Sequence, residues 1–323
     1  MKAIRVHQTG GPEVLRLDDV PTPEVGPGQA LVRHTAIGVN FIDTYFRSGL
    51  YPAPVSPFTP GNEGAGVVEA VGEGVAHVRP GDRVAWTAPL GGYAEFRLIP
   101  AYRLTPLPEA VSDEVAASIM LKGLTAWYLL RRTFPVGPEH TVLFHAAAGG
   151  VGQLAVQWAK ALGAAVIGTA GGAEKCAVVR ALGVDHVVDY RSEDFVERVR
   201  EITGGQGCHV VYDGVGRDTF PGSLDCLRPL GMWVTFGQSS GALPPVDAQL
   251  LSTKGSLFMT RPTLGTYIHE TADLQTGAAE LFEMVGSGRV KVSVNHRWSL
   301  ADAAEAHRAL EGRRTTGSTV LIP

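Results

Sequence analysis

The sequence predicts an α/β protein in which a doubly wound parallel sheet is joined to a second, β-rich region. Three observations predict it. Between Thr141 and Phe236, short apolar runs alternate with segments of helical periodicity. A glycine-rich turn stands at the first strand-to-helix junction of that stretch. The first third of the chain is different, with short strands bounded by glycine and proline. At roughly 150 residues per domain, the 323 residues correspond to about two domains. With 45% hydrophobic and 19% charged residues, a large core is possible and global disorder is excluded. The 40 glycines and 21 prolines follow no three-residue period, which excludes a collagen-like chain.

The elements follow in order. Residues 1–6 alternate like a strand, and no apolar leader is read before them. Residues 30–36, 64–72 and 83–86 are further strands, the last after the turn Pro80-Gly81-Asp82. Pro52, Pro54, Pro57 and Pro60 make their segment an irregular loop. Residues 141–145 form an apolar strand. Positions 151, 154, 155, 158, 159 and 162 then repeat at helical spacing, with Gly163 as the stop. Strands at 165–169, 186–188, 209–212 and 232–236 alternate with helices at 174–182, 195–202 and 219–227. Ser299-Leu300-Ala301-Asp302 reads as a capping box for a helix through His307 and Leu310, and 318–322 is a terminal strand.

Composition narrows the function classes. A net charge of -4 gives no basic excess, so nucleic acid is disfavoured as a partner. No run approaches the roughly 18 apolar residues of a membrane helix. The cysteines, Cys176, Cys208 and Cys226, are odd in number and lack metal-ligand spacing. They argue against a disulfide scaffold and a thiolate zinc site, and for a reducing cytoplasm. Cys176, beside Lys175, reads as a helix residue rather than a reactive thiolate. His145 ends a buried strand and reads as structural.

The chemistry-bearing motif is Ala146-Ala147-Ala148-Gly149-Gly150-Val151-Gly152. Gly149 and Gly150 let the backbone approach a pyrophosphate. Gly152 lets the helix pack on the strand, and the helix N-terminus offers amides to the anion. Ala147 stands where the G-x-G-x-x-G pattern has its first glycine, so the motif alone also fits a plain glycine-rich turn. NAD sites place an acid at the end of the second strand. Here that strand ends Thr169-Ala170-Gly171-Gly172, and Lys175 and Arg180 follow. This favours NADPH, although a solvated role for Lys175 fits its position equally well.

Taken with further segments, the chain resembles the zinc-independent medium-chain dehydrogenase/reductases, and among them the bacterial NADPH:quinone oxidoreductases related to ζ-crystallin. The matching segments are residues 38–45 (GVNFIDTY), 60–66 (PGNEGAG), 121–126 (LKGLTA), the glycine turn, 211–216 (VYDGVG), 236–241 (FGQSSG) and the tail from Glu311. The resemblance implies a GroES-like catalytic domain from residues 1–120 and 260–323, and a Rossmann NADPH-binding domain from 121–259. It implies an active cleft between them, and homodimers formed through a sheet edge at 255–259. Zinc-dependent relatives have ligand residues where this chain has Asn40 and Asn62. Their cysteine-rich lobe is replaced by a short bridge at 86–93 without cysteine. Neither zinc site can be built from these residues.

The resemblance also implies roles for single residues. Gly149, Gly150, Val151 and Gly152 would hold the pyrophosphate, and Lys175, Tyr190 and Arg313 the 2′-phosphate. Phe236 and Gln238 would flank the cofactor. Asn40, Tyr45, Thr125 and, less directly, Tyr51 would surround nicotinamide and substrate. The expected reaction is metal-free reduction of small quinones by NADPH in a cytoplasmic homodimer, with the proton from Tyr45 or from solvent and one- and two-electron routes both open. Two alternatives remain beside it: reduction of alkenals, enones or enoyl thioesters, and a non-catalytic NADPH-binding, crystallin-like or RNA-binding role.

Overall fold

Strands β1 (Lys2–Val6) and β2 (Leu15–Asp19) pair antiparallel. Next come β3 (Gln29–Val39), helix α1 (Phe41–Ser48), β4 (Glu63–Val71), β5 (Arg83–Thr87), β6 (Phe96–Pro100), β7 (Thr105–Pro106) and helix α2 (Asp113–Tyr128). An alternating stretch follows: β8 (Thr141–Phe144), α3 (Gly150–Ala161), β9 (Ala165–Ala170), α4 (Ala173–Ala181), β10 (His186–Asp189), α5 (Phe195–Ile202), β11 (Cys208–Asp213), β12 (Leu227–Thr235) and β13 (Phe258–Thr260). Strands β14 (Val294–Ser299) and β15 (Ser318–Ile322) come last. The computed structural model describes residues 1–87, 90–312 and 314–323.

The described residues divide into two compact units. The first comprises Met1–Lys122, Glu270–Gly286 and Val292–Pro323. Its larger sheet runs β14-β15-β3-β4-β5-β7, with β6 also on β3. The long β3 serves two cores. Ile37 and Val39 pack with Ile4, Val6 and Leu321, while Ala30 and Val32 pack with Val68, Trp86 and Ile99. That double duty explains why β3 is buried over most of its length instead of alternating.

The second unit comprises Gly123–His269 and Ser287–Lys291. Its six strands are all parallel, in the order β10-β9-β8-β11-β12-β13. The chain therefore starts in the middle, builds outward through β9 and β10, and returns to add β11 to β13. The order reverses between β8 and β11, and ligands of such sheets bind at that point, beyond the carboxyl ends of the strands. Residues 260–269, read from sequence as part of the catalytic domain, fall in this second unit. Arg261 donates to the carbonyls of Thr235 (3.1 Å) and Gly237 (3.0 Å), and Tyr267 stacks on Tyr128 at 4.5 Å.

Several elements differ from their sequence reading. The expected helix at 219–227 shrinks to Gly222–Asp225, because Pro221 has no N–H to give and Leu227 already belongs to β12. β12 begins earlier than expected and stops at Thr235, so Phe236 lies past its end. β13 is shorter and later than the 255–259 reading. Ser299 does not cap by accepting a backbone N–H. Its hydroxyl donates to the Asp302 carboxylate at 2.6 Å, and a short 3-10 turn precedes the helix Ala303–Glu311.

Candidate functional site

The glycine turn is built as a phosphate cradle. Ala146 takes the left-handed conformation (φ 53°), and the N–H of Gly149 turns back onto its carbonyl at 2.8 Å. That bond leaves the amides of Gly150, Val151 and Gly152 as the ones without an intrahelical acceptor at the start of α3. A Cβ at Gly152 would lie 2.5 Å from the Ala146 oxygen and 2.7 Å from the Ala147 Cα, so only glycine lets α3 sit this close to β8. Ala147, the departure from the glycine pattern, is fully buried against Gly168. A Cβ at Gly168 would lie 2.9 Å from the Ala147 methyl, so the methyl gained at 147 is accommodated by the one missing at 168.

Beyond β11 the motif 211–216 turns around Asp213. Its fully buried carboxylate accepts from the amides of Val215 (2.8 Å) and Gly216 (3.1 Å), the hydroxyls of Thr219 (2.7 Å) and Ser223 (2.8 Å), and the indole N–H of Trp233 (3.2 Å). Burial alone would raise its pKa. His145 and these bonds outweigh burial and hold the carboxyl below its usual range. His145 is itself kept neutral near pH 7 by burial, so at that pH the hydrogen bonds carry the effect. His145 lies between the hydroxyls of Thr169 and Ser223, in the structural position read from sequence.

The network around Asp213 sets the neighbouring loop. Phe236, half-buried, packs 5.7 Å from the Phe144 ring and lies over Gly214, where a Cβ would be 3.0 Å from its ring. Arg261 clamps the segment from Thr235 to Gln238, with Nη2 3.5 Å from the Gln238 side-chain oxygen. At the end of β9, Gly171 lies beneath Tyr190, and a Cβ there would be 2.4 Å from the Tyr190 hydroxyl. Lys175 is half-buried in the first turn of α4. The structure adds a carboxylate that the sequence reading missed. Asp189, from the next strand, accepts the amides of Gly172 (2.8 Å) and Arg191 (3.0 Å). Arg313, expected at the 2′-phosphate, lies outside the described residues.

In the first unit, Asn40 caps α1 and is buried. Its side-chain oxygen accepts from Lys122 Nζ (2.7 Å), and its amide donates to Glu63 (2.7 Å). Lys122 Nζ also bonds Glu63 at 2.8 Å, giving an ion pair 8% and 0% exposed. Asn62 donates to Asp43 at 2.6 Å. Neither asparagine is thus free to turn, and the cation beside Asn40 is a lysine ammonium. Among the described residues no group of three His, Cys, Asp or Glu side chains is placed to hold a metal ion.

Asp43 also accepts from the main-chain N–H of Asn40 (2.8 Å) and the Tyr93 hydroxyl (3.1 Å). Burial pushes its carboxyl up to about 6, against those bonds, and the Glu63 charge adds to the rise. Proton positions follow outward from Arg47. Its guanidinium grips Glu311 through two bonds of 2.8 Å and can only donate to His307 Nδ1 (3.2 Å). His307 Nε2 therefore carries the proton and donates to Tyr93 (2.9 Å), whose hydroxyl donates to Asp43. Burial, and then the Arg47 charge, lower the His307 pKa to about 3.

Tyr45 is half-buried on α1. Its ring meets Tyr51 edge-on at 5.2 Å, and Tyr51 also meets Phe46 at 5.8 Å. Tyr45 is therefore a helix residue in an aromatic cluster with Tyr51, which the two candidates' sequence positions did not reveal. Thr125 lies three residues after Lys122 on α2, on the same helix face.

Comparison with known proteins gives these parts a common origin. Residues 26–109 match the family described as alcohol dehydrogenase GroES-like domain, and residues 150–286 the family described as zinc-binding dehydrogenase. A quinone oxidoreductase of Pseudomonas aeruginosa is 51% identical over 100% of this chain and 99% of its own. A 2-haloacrylate reductase of Burkholderia is 46% identical over 98% of each chain. The crystal structure of Escherichia coli quinone oxidoreductase complexed with NADPH superposes with a TM-score of 0.97 at 49% identity, covering 100% of both chains. An N-terminal GroES-like region followed by a glycine-cradled parallel sheet defines a nucleotide-dependent oxidoreductase. The chain belongs to the medium-chain dehydrogenase/reductase family, in its quinone oxidoreductase branch.

Proposed function

We propose that this protein is an NADPH-dependent reductase of small quinones that works without a metal. The observation that carries the reading is 51% identity along the whole chain to a quinone oxidoreductase. The cradle fits the cofactor: free amides at the start of α3, a Gly152 that admits no side chain, and bare glycines at the end of β9. When bound, NADPH supplies the hydride. The amides of Gly150, Val151 and Gly152 bind its pyrophosphate, while Gly149 shapes the turn. Lys175, Tyr190 and Arg313 serve the 2′-phosphate, and Phe236 and Gln238 flank the cofactor. Asn40, Tyr45, Tyr51 and Thr125 serve the acceptor. Most of the rate then comes from holding donor and acceptor together and excluding water.

The donor set supports the metal-free reading. Amides and an ammonium are not zinc ligands, and the Lys122 cation already neutralises Glu63. The finer readings of assembly and compartment also stand as proposals. The edge strand β13 exposes Phe258 (56%), and the neighbouring Leu230 is 67% exposed, which suits a homodimer formed by continuing the sheet. Three buried thiols suit the cytoplasm. No described helix is long and apolar enough to cross a membrane. The 46% identity to a 2-haloacrylate reductase supports a second reading, reduction of an activated carbon–carbon double bond in the same site. The test is steady-state oxidation of NADPH with benzoquinone, an enal and 2-chloroacrylate. Quinone turnover well above the others supports the first reading, and efficient acrylate or enal reduction with negligible quinone turnover supports the second.

A further inference from the structure

We propose that Arg191 is a determinant of the preference for a cofactor carrying a 2′-phosphate, an inference that rests on reading the protein as an NADPH-dependent reductase. In sheets of this strand order the adenine ribose lies beyond the end of the second strand. NAD enzymes place an acid there, and a nearby arginine accommodates the 2′-phosphate of NADP. The second strand here is β9, and it runs out through Ala170 into Gly171 and Gly172 without a charged side chain. Besides Lys175 in the first turn of α4, charges come to that point from the turn after β10.

Asp189 ties the two segments together. One carboxylate oxygen accepts the amide of Gly172 at 2.8 Å and the amide of Arg191 at 3.0 Å. The turn is thereby fixed so that two side chains fold across two bare glycines. A Cβ on Gly171 would meet the Tyr190 hydroxyl at 2.4 Å, and a Cβ on Gly172 would meet Arg191 Nη1 at 3.3 Å. The Arg191 side chain is exposed, and its guanidinium has no hydrogen-bond acceptor among the described residues. The Asp189 carboxylate stays ionised, because the amides of Gly172 and Arg191 favour its charged form. A phosphate brought to this corner meets that negative charge, and Arg191 is the cation that the same turn presents to offset it. A guanidinium also suits the task by geometry, since its fork pairs with two phosphate oxygens.

The test is binding, measured by fluorescence titration of wild type and Arg191→Ala with NADPH and NADH, and by competition with 2′,5′-ADP and 5′-AMP. For the variant we expect NADPH and 2′,5′-ADP to bind roughly tenfold more weakly or worse, as for the loss of one charge-assisted contact. NADH and 5′-AMP should change by less than about twofold, which also reports an intact fold. An unchanged ratio of NADPH to NADH affinity in Arg191→Ala overturns the proposal, whether both affinities hold or both fall. A wild type with no preference for NADPH overturns the parent reading instead.

Discussion

Each unit contains a fully buried aspartate, and the two are held in opposite ways. Asp213 gathers five donors, two of them amides of its own turn, and its carboxyl is held below the usual range. Asp43 gathers three donors and shares its surroundings with Glu63, and burial lifts it to about 6. Burial is the largest influence at both, so the number of donors and the charge of the neighbour decide the direction. The parallel-sheet network is anchored by local backbone, which fixes a loop. The network of the first unit is anchored by side chains far apart in sequence and joined by an ion pair, which fixes asparagines.

The sharpest way to break this contrast is Asp213→Ala. It leaves five donors without their acceptor, and the expected loss is about 5 kcal/mol or outright failure to fold. Denaturant melting of the purified variant measures it, and a loss near 1 kcal/mol would mean that the turn holds without its carboxylate.

Next in size is the ion pair. Lys122→Met strands a buried Glu63 and should cost about 3–5 kcal/mol, whereas Lys122→Met combined with Glu63→Gln should cost clearly less. Equal losses in the single and double variants would mean that packing of the lysine stem, not charge, is what matters.

The pH dependence sharpens the contrast further. Asp43 has a folded pKa near 6 against about 3.9 unfolded, so its contribution is most favourable below pH 4 and is lost as pH rises through 6. The full swing is roughly 3 kcal/mol. Asp213 has the opposite slope, its contribution being present at neutral pH and lost in acid. Asp43→Asn should therefore gain stability relative to wild type between pH 4 and 7, as read from melts at fixed ionic strength. A constant offset across that range would contradict the assignment.

The smallest expected effect is at the acceptor side. Tyr45→Phe keeps the ring against Tyr51 and removes only a hydroxyl, so quinone turnover should fall by roughly tenfold or less. A fall of roughly 10²-fold or more, with loss of one limb of the pH profile, would make Tyr45 the acid.

The sequence by itself determined what is local. The period of α3, the glycine stop at Gly163, the alternation of strands and helices, and the strand–glycine–helix turn are all signals within one or two elements. The family resemblance extended them to the fold class and the cofactor. The tertiary structure decided what is assembled across distance. Asp43, Asn62, Tyr93 and His307 come from four separate segments, and nothing in their spacing announces that a proton path is fixed among them. Asp189 and Arg191 reach the end of β9 only because β10 pairs beside it, so a scan along β9 finds no acid there. Ala147 breaks the glycine pattern in sequence and fits in space because Gly168 faces it from the neighbouring strand. Hydrophobic period and turn chemistry act between near neighbours, whereas the partner of a buried charge is chosen by whichever strand or helix the fold lays against it.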